Sequence, residues 1–132
     1  MRILLVEDDE DLRKTVRGTL KALTRDIHEA GDAVETLRFA RAELPHIVIL
    51  GTIKSNADGY ELCYRIKVAP ELKHTRVIML SARPRDVDIS IGLRGFADAY
   101  LAKPFDPGLL LATIGKLQGG ASEPTDRRAD PD

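Results

Sequence analysis

The chain contains no tryptophan and a single cysteine, Cys63, among its 132 residues. One cysteine excludes an internal disulfide, and alone it cannot build a zinc site. Aromatic residues are only 5% of the sequence. Charge of one sign is also missing: 20 Lys and Arg face 21 Asp and Glu, for a net charge of −1. A nucleic-acid binder would carry a basic excess or stripe, so direct nucleic-acid binding is not expected. No apolar run approaches the ~18 residues that would suggest a membrane span. The opening MRILLVEDDED turns acidic too soon for a signal peptide, so a soluble, cytoplasmic protein is expected. The length suits one domain with a real core, and leaves no room for a second of ordinary size.

What is present is a regular alternation. Short apolar segments occur at Ile3–Val6, Ile47–Leu50 and Val77–Leu80, with a weaker one at Ala99–Ala102. The first three show no polar alternation, as expected of strands buried on both faces. Ile27–Ala30 carries His28 and Glu29, which suits an edge strand. Between these lie helix-length segments. Residues 10–23 place Leu12, Val16, Leu20 and Leu23 on one face, and residues 33–43 do the same with Val34, Leu37 and Ala40. Leu62, Ile66 and Ala69 have helical spacing after Asp58-Gly59. Residues 107–118 carry Leu110, Ile114 and Leu117 behind Pro107, a favoured first-turn residue. The segment 86–94 alternates like a strand, but its neighbours argue for helix. Strand and helix alternating with short connections predict an α/β fold: a doubly wound, five-stranded parallel sheet with helices on both faces. The predicted domain is 1–118. Residues 119–132 are rich in Gly, Pro and charge with no large apolar residue, and are expected to form a disordered tail or linker.

Sheets of this kind carry their sites at the carboxyl ends of the strands. Glu7 and Asp8 end the first strand; Asp9, Glu10 and Asp11 fit a solvated helix start, where the dipole favours acids. Two adjacent carboxylates repel unless a cation joins them, and oxygen ligands suit Mg²⁺. Ser81 follows the fourth apolar run. Lys103-Pro104 follows the fifth, with Lys103 restricted to extended backbone. Each has a plain structural explanation alone; an acidic pair, a hydroxyl and a lysine converging on one sheet edge are much harder to dismiss, since the hydroxyl could bond a phosphoryl oxygen and the lysine could hold a phosphate or bridge carboxylates.

These residues resemble the receiver domain of bacterial response regulators, the CheY-like fold. The resemblance covers residues 1–118 and rests on ILLVEDDEDLR, PHIVIL followed by ADGYELCYRIK, VIMLSA and GFADAYLAKPF. It implies a histidine kinase or downstream effector as partner and Mg²⁺ as cofactor. It makes Glu7 and Asp8 the metal-binding pair, Ser81 the switch hydroxyl, Lys103 the phosphoryl-contacting lysine and Tyr100 the switch aromatic. It also implies a cis peptide at Lys103-Pro104. The departure is at the acceptor. Counting back from Asp58-Gly59 puts Gly51 where the family has its phosphorylated aspartate, and Ser55 replaces the family's proline four residues on. Glycine has nothing to phosphorylate. Thr52 should point away from the site and is a poor nucleophile beside a carboxylate. With one carboxylate fewer, any Mg²⁺ is expected to bind weakly or not at all.

The expected function is therefore a pseudo-receiver of a two-component phosphorelay, not an enzyme, acting by protein contacts. Leu109 and Thr113 stand where the resemblance implies a dimer salt bridge, and Ala99 replaces a common acid, so that dimer is not expected. Leu109 and Leu111, flanking Leu110, are the candidate interaction face. Arg83, Arg85 and Arg94 are read as solvated charges offset by Asp86, Asp88 and Asp98. Two alternatives stay open: a response regulator phosphorylated on an unusual acceptor, and a Mg²⁺-dependent phosphotransferase of the haloacid dehalogenase type. The latter would need Thr where Arg13 stands.

Overall fold

The computed structural model describes residues 1–51, 59–81 and 97–122. Five short strands lie in one parallel sheet: β1 (Ile3–Val6), β2 (Ile27–Ala30), β3 (Ile47–Leu50), β4 (Arg76–Ser81) and β5 (Ala99–Ala102), in the order β2-β1-β3-β4-β5. The helices are α1 (Glu10–Leu20), α2 (Ala33–Glu43), α3 (Gly59–Val68) and, after β5, α4 (Pro107–Ser122). A 3₁₀ turn over Pro70–Leu72 follows α3.

The period of two along each strand splits the apolar residues between two layers. Leu4, Val6, Val48, Leu50, Val77 and Met79 face α2 and α3. Ile3, Leu5, Ile47, Ile49, Ile78 and Leu80 face α1 and α4, meeting Val16, Leu20, Leu110 and Ile114. Every residue of β1 and β3 is fully buried, which explains their unbroken apolar sequences. β2 sits at the edge, and both of its polar residues have partners there. Glu29 receives Arg13 and Arg17 of α1, and the His28 ring lies 4.7 Å from that of Phe39 on α2.

Helix starts follow from local capping chemistry. Asp9 Oδ1 accepts the Leu12 N–H at 3.1 Å, Asp32 Oδ1 the Glu35 N–H at 2.8 Å, and Asp106 Oδ1 the Leu109 N–H at 3.1 Å. In α2, Glu35 reaches back to the Gly31 N–H at 2.8 Å, one residue before the cap.

Three helical expectations need correction. α1 stops at Leu20, and the turn that follows leaves Leu23 40% exposed. Val34 is 66% exposed; the inward position belongs to Thr36, whose hydroxyl donates to the Asp32 carbonyl at 2.7 Å. That bond satisfies the only polar atom the burial costs, so polarity misassigned the face. α4 continues through Gly119 and Gly120 to Ser122, past the expected boundary at 118. Once a helix is nucleated each further residue adds a hydrogen bond, and a glycine weakens it by only about 1 kcal/mol. The segment 86–94 lies outside the described residues.

Candidate functional site

The register of the sheet builds the site. β1 and β3 pair Ile3 with Ile47 through Val6 with Leu50, so the next residues, Glu7 and Gly51, are neighbours. The Gly51 N–H donates to the Val6 carbonyl at 2.7 Å, carrying the ladder one step further. Glu7 continues the face of Ile3 and Leu5, Gly51 that of Ile47 and Ile49, and Lys103 that of Ala99 and Leu101. Glu7 and Lys103 therefore project to one side at the carboxyl edge, the side that position 51 also faces. β4 separates β3 from β5, and the long lysine side chain spans that gap.

Glu7 is only 1% exposed. Lys103 Nζ donates to its Oε1 at 3.2 Å, and the Asp9 N–H donates to its Oε2 at 3.0 Å. Arg13 Nη1 donates to the Glu7 backbone carbonyl at 3.0 Å, tying α1 to the end of β1. The Glu7 carboxylate lies in the space a side chain at 51 would take. A Cβ on Gly51 would overlap Glu7 Oε1 and lie 2.9 Å from its Cδ.

Asp8 is half-buried and forms no ion pair among the described residues. Asp9 is the α1 cap, and Glu10 pairs with Lys14 one turn on, so both have structural roles at the helix start. Ser81 is the last residue of β4, opposite Ala102. The Lys103–Pro104 peptide is cis. Tyr100 pairs with Met79 on β4 and packs on the α2/α3 side, the face opposite Lys103. Its hydroxyl accepts the Ala97 N–H at 3.3 Å, and burial pushes its pKa up. Leu109 is half exposed and Leu111 partly so, while Leu110 between them is buried. Thr52, Ser55 and Asp58 lie outside the described residues, as do Arg83, Arg85, Asp86, Asp88, Arg94 and Phe96.

These donors do not fit Mg²⁺. The ion wants near-octahedral oxygen ligands. Here Lys103 and the Asp9 N–H take one Glu7 oxygen each, and position 51 offers no carboxylate. No group of three potential ligands occurs among the described residues.

One cluster escaped the sequence reading. Asp98, expected as a solvated counter-charge, is instead 16% exposed at its side chain. Its Oδ2 accepts Lys67 Nζ at 2.8 Å and the Val77 N–H at 2.7 Å; Arg76 Nη1 lies 3.5 Å from Oδ1. Lys67 also donates to the Thr75 carbonyl at 3.0 Å. The cluster joins α3, β4 and the start of β5. No local pattern signals it, because its members are far apart in sequence.

The family model described as the response regulator receiver domain matches residues 3–115. The chain belongs to the response regulator receiver family. The transcriptional regulatory protein CseB of Streptomyces avermitilis is 36% identical over 98% of this chain and 57% of its own length. The transcriptional regulatory protein AfsQ1 of Streptomyces coelicolor is 32% identical over 94% of this chain and 54% of its own. This receiver thus spans about half the length of the curated relatives it matches. A crystal structure of a putative response regulator from Chloroflexus aurantiacus superposes with a TM-score of 0.77 at 30% identity, covering 89% of this chain and 97% of that one. The predicted doubly wound, five-stranded parallel sheet is therefore the receiver fold in its two-component setting. No helix among the described residues is long and apolar enough to cross a membrane.

Proposed function

We propose that this receiver works without aspartyl phosphorylation, as a pseudo-receiver that signals by protein contacts. The observation that carries this is Gly51 at the acceptor position, with the Glu7 carboxylate filling the space beside it. Phosphoryl transfer needs a nucleophile within reach of the metal and the lysine. Glycine supplies none, and Glu7 is buried with both of its oxygens hydrogen-bonded. Its partners are a histidine kinase or an effector of a bacterial signalling pathway. The curated relatives are named as transcriptional regulators, which favours an effector that controls transcription. Leu109 and Leu111 form the contact face on α4: an apolar side chain half exposed beside a buried core position.

The test is incubation with acetyl phosphate and Mg²⁺, followed by intact-mass analysis under conditions that preserve acyl phosphates. The natural protein should gain no phosphoryl mass. A Gly51→Asp variant alongside reports whether the rest of the site is competent. Labelling of the natural protein overturns the proposal and sends the search to another acceptor.

A further inference from the structure

We propose that Lys103 is the resident cation of this site, and that the missing side chain at position 51 is what lets Glu7 reach it. The inference rests on the pseudo-receiver reading of Gly51 and adds what has taken the acceptor's place.

Position 51 does not call for glycine on backbone grounds, since its φ lies outside the left-handed region. What glycine supplies there is space. Any β-carbon would overlap Glu7 Oε1, while the Val6 carbonyl, at 3.4 Å, stands at ordinary contact distance. The obstacle is the end of a side chain, but a constrained one. Its outer oxygens are held by Lys103 and by the Asp9 N–H, at 3.2 and 3.0 Å. A buried carboxylate needs a counter-charge. In this site the ammonium supplies it, with the Lys103 side chain only 18% exposed. Glu7 and Lys103 cancel, and among the described residues Asp8 is the carboxylate left at the mouth. A divalent ion arriving there would have to displace a covalently tethered cation, with Asp8 the uncompensated acid among the described residues. The arrangement therefore excludes the metal as well as the phosphoryl group, and fixes the end of β5 to the end of β1.

Two experiments test this. In the first, Mn²⁺ and Mg²⁺ are titrated calorimetrically into the natural protein and into Lys103→Met, with Lys103→Gln as a second variant should the first fail to fold. Removing the ammonium leaves Glu7 and Asp8 together, so the variant should bind Mn²⁺ at least tenfold more tightly than the natural protein. Equal affinity overturns the proposal. In the second, Gly51→Ala is made in the natural background and in a Glu7→Ala background. The thermal midpoint should fall in the first and stay level or rise in the second. An equal fall in both also overturns it, because the added carbon would then collide with something other than Glu7. Neither readout involves phosphoryl transfer. Acetyl phosphate labelling with Glu7–Gly51 coupling intact removes the pseudo-receiver reading and leaves the tethered cation; no labelling and no coupling does the reverse.

Discussion

Replacing Asp98 by alanine tests the polar junction that joins α3, β4 and the start of β5. The carboxylate is shared by an ammonium, a guanidinium and a backbone N–H, at 2.8, 3.5 and 2.7 Å. Alanine leaves the Val77 N–H without its acceptor, a loss of about 1–3 kcal/mol for a buried donor. It also strips Lys67 of its counter-ion at a site where both side chains are 16% exposed. Breaking one side of a buried pair costs about 3–5 kcal/mol, but Lys67 keeps the Thr75 carbonyl at 3.0 Å, which moves the sum toward the lower end. A total loss of about 4 kcal/mol is expected. With a urea m-value of about 2 kcal/mol/M, the midpoint falls by about 2 M. Asp98→Asn keeps an acceptor for Val77 and should lose about half as much. In a Lys67→Met background the alanine effect should shrink, because no ammonium is left unpaired. Equilibrium urea unfolding followed by circular dichroism measures the natural protein and these four variants. An Asp98→Ala loss below about 1 kcal/mol, or one unchanged by Lys67→Met, would refute the reasoning that the junction is dry and shared.

Two further outcomes follow from other parts of the molecule. Leu44 closes α2 with φ 51°, the left-handed region, while its side chain is 53% exposed. Left-handed backbone costs a non-glycine residue about 1–2 kcal/mol, so Leu44→Gly should raise stability by about 1 kcal/mol and lift the thermal midpoint; a lower midpoint would count against it. Burial pushes the Cys63 thiol up to about 12, from 9.0. The folded protein should resist thiol reagents at pH 8 and react only on unfolding. Because the unfolded thiol ionises first, this group's contribution to stability is intact below pH 9 and is lost as pH rises from 9 toward 12. Rapid labelling of the folded protein would show that the thiol is not buried.

The clearest inferences from sequence concerned what repeats locally. Strands such as Ile47–Leu50 and helices such as Ala33–Glu43 declare themselves because hydrophobic period and cap residues are local properties. Face assignments were weaker at the margins. Val34, expected inward, is exposed, and Thr36 is buried instead because a hydroxyl bonded to its own helix is cheap to bury. The candidate site was legible only as a set of positions: Glu7, Asp8, Ser81 and Lys103 fall at the carboxyl ends of three parallel strands, and Gly51 stands where the resemblance puts the acceptor.

The sequence by itself determined the alternation of strand and helix, the edge position of Ile27–Ala30 and the absence of a carboxylate at 51. Each is written in residue type and spacing, which need no knowledge of distant contacts. Only the tertiary structure decided where the Glu7 carboxylate goes. Glu7 and Gly51 become neighbours through strand register, and Lys103 reaches them across β4. The same holds for Asp98, which looks like a surface charge until α3 and β4 fold against it. Burial and pairing depend on which elements share a layer, and that follows from the packing of the whole sheet.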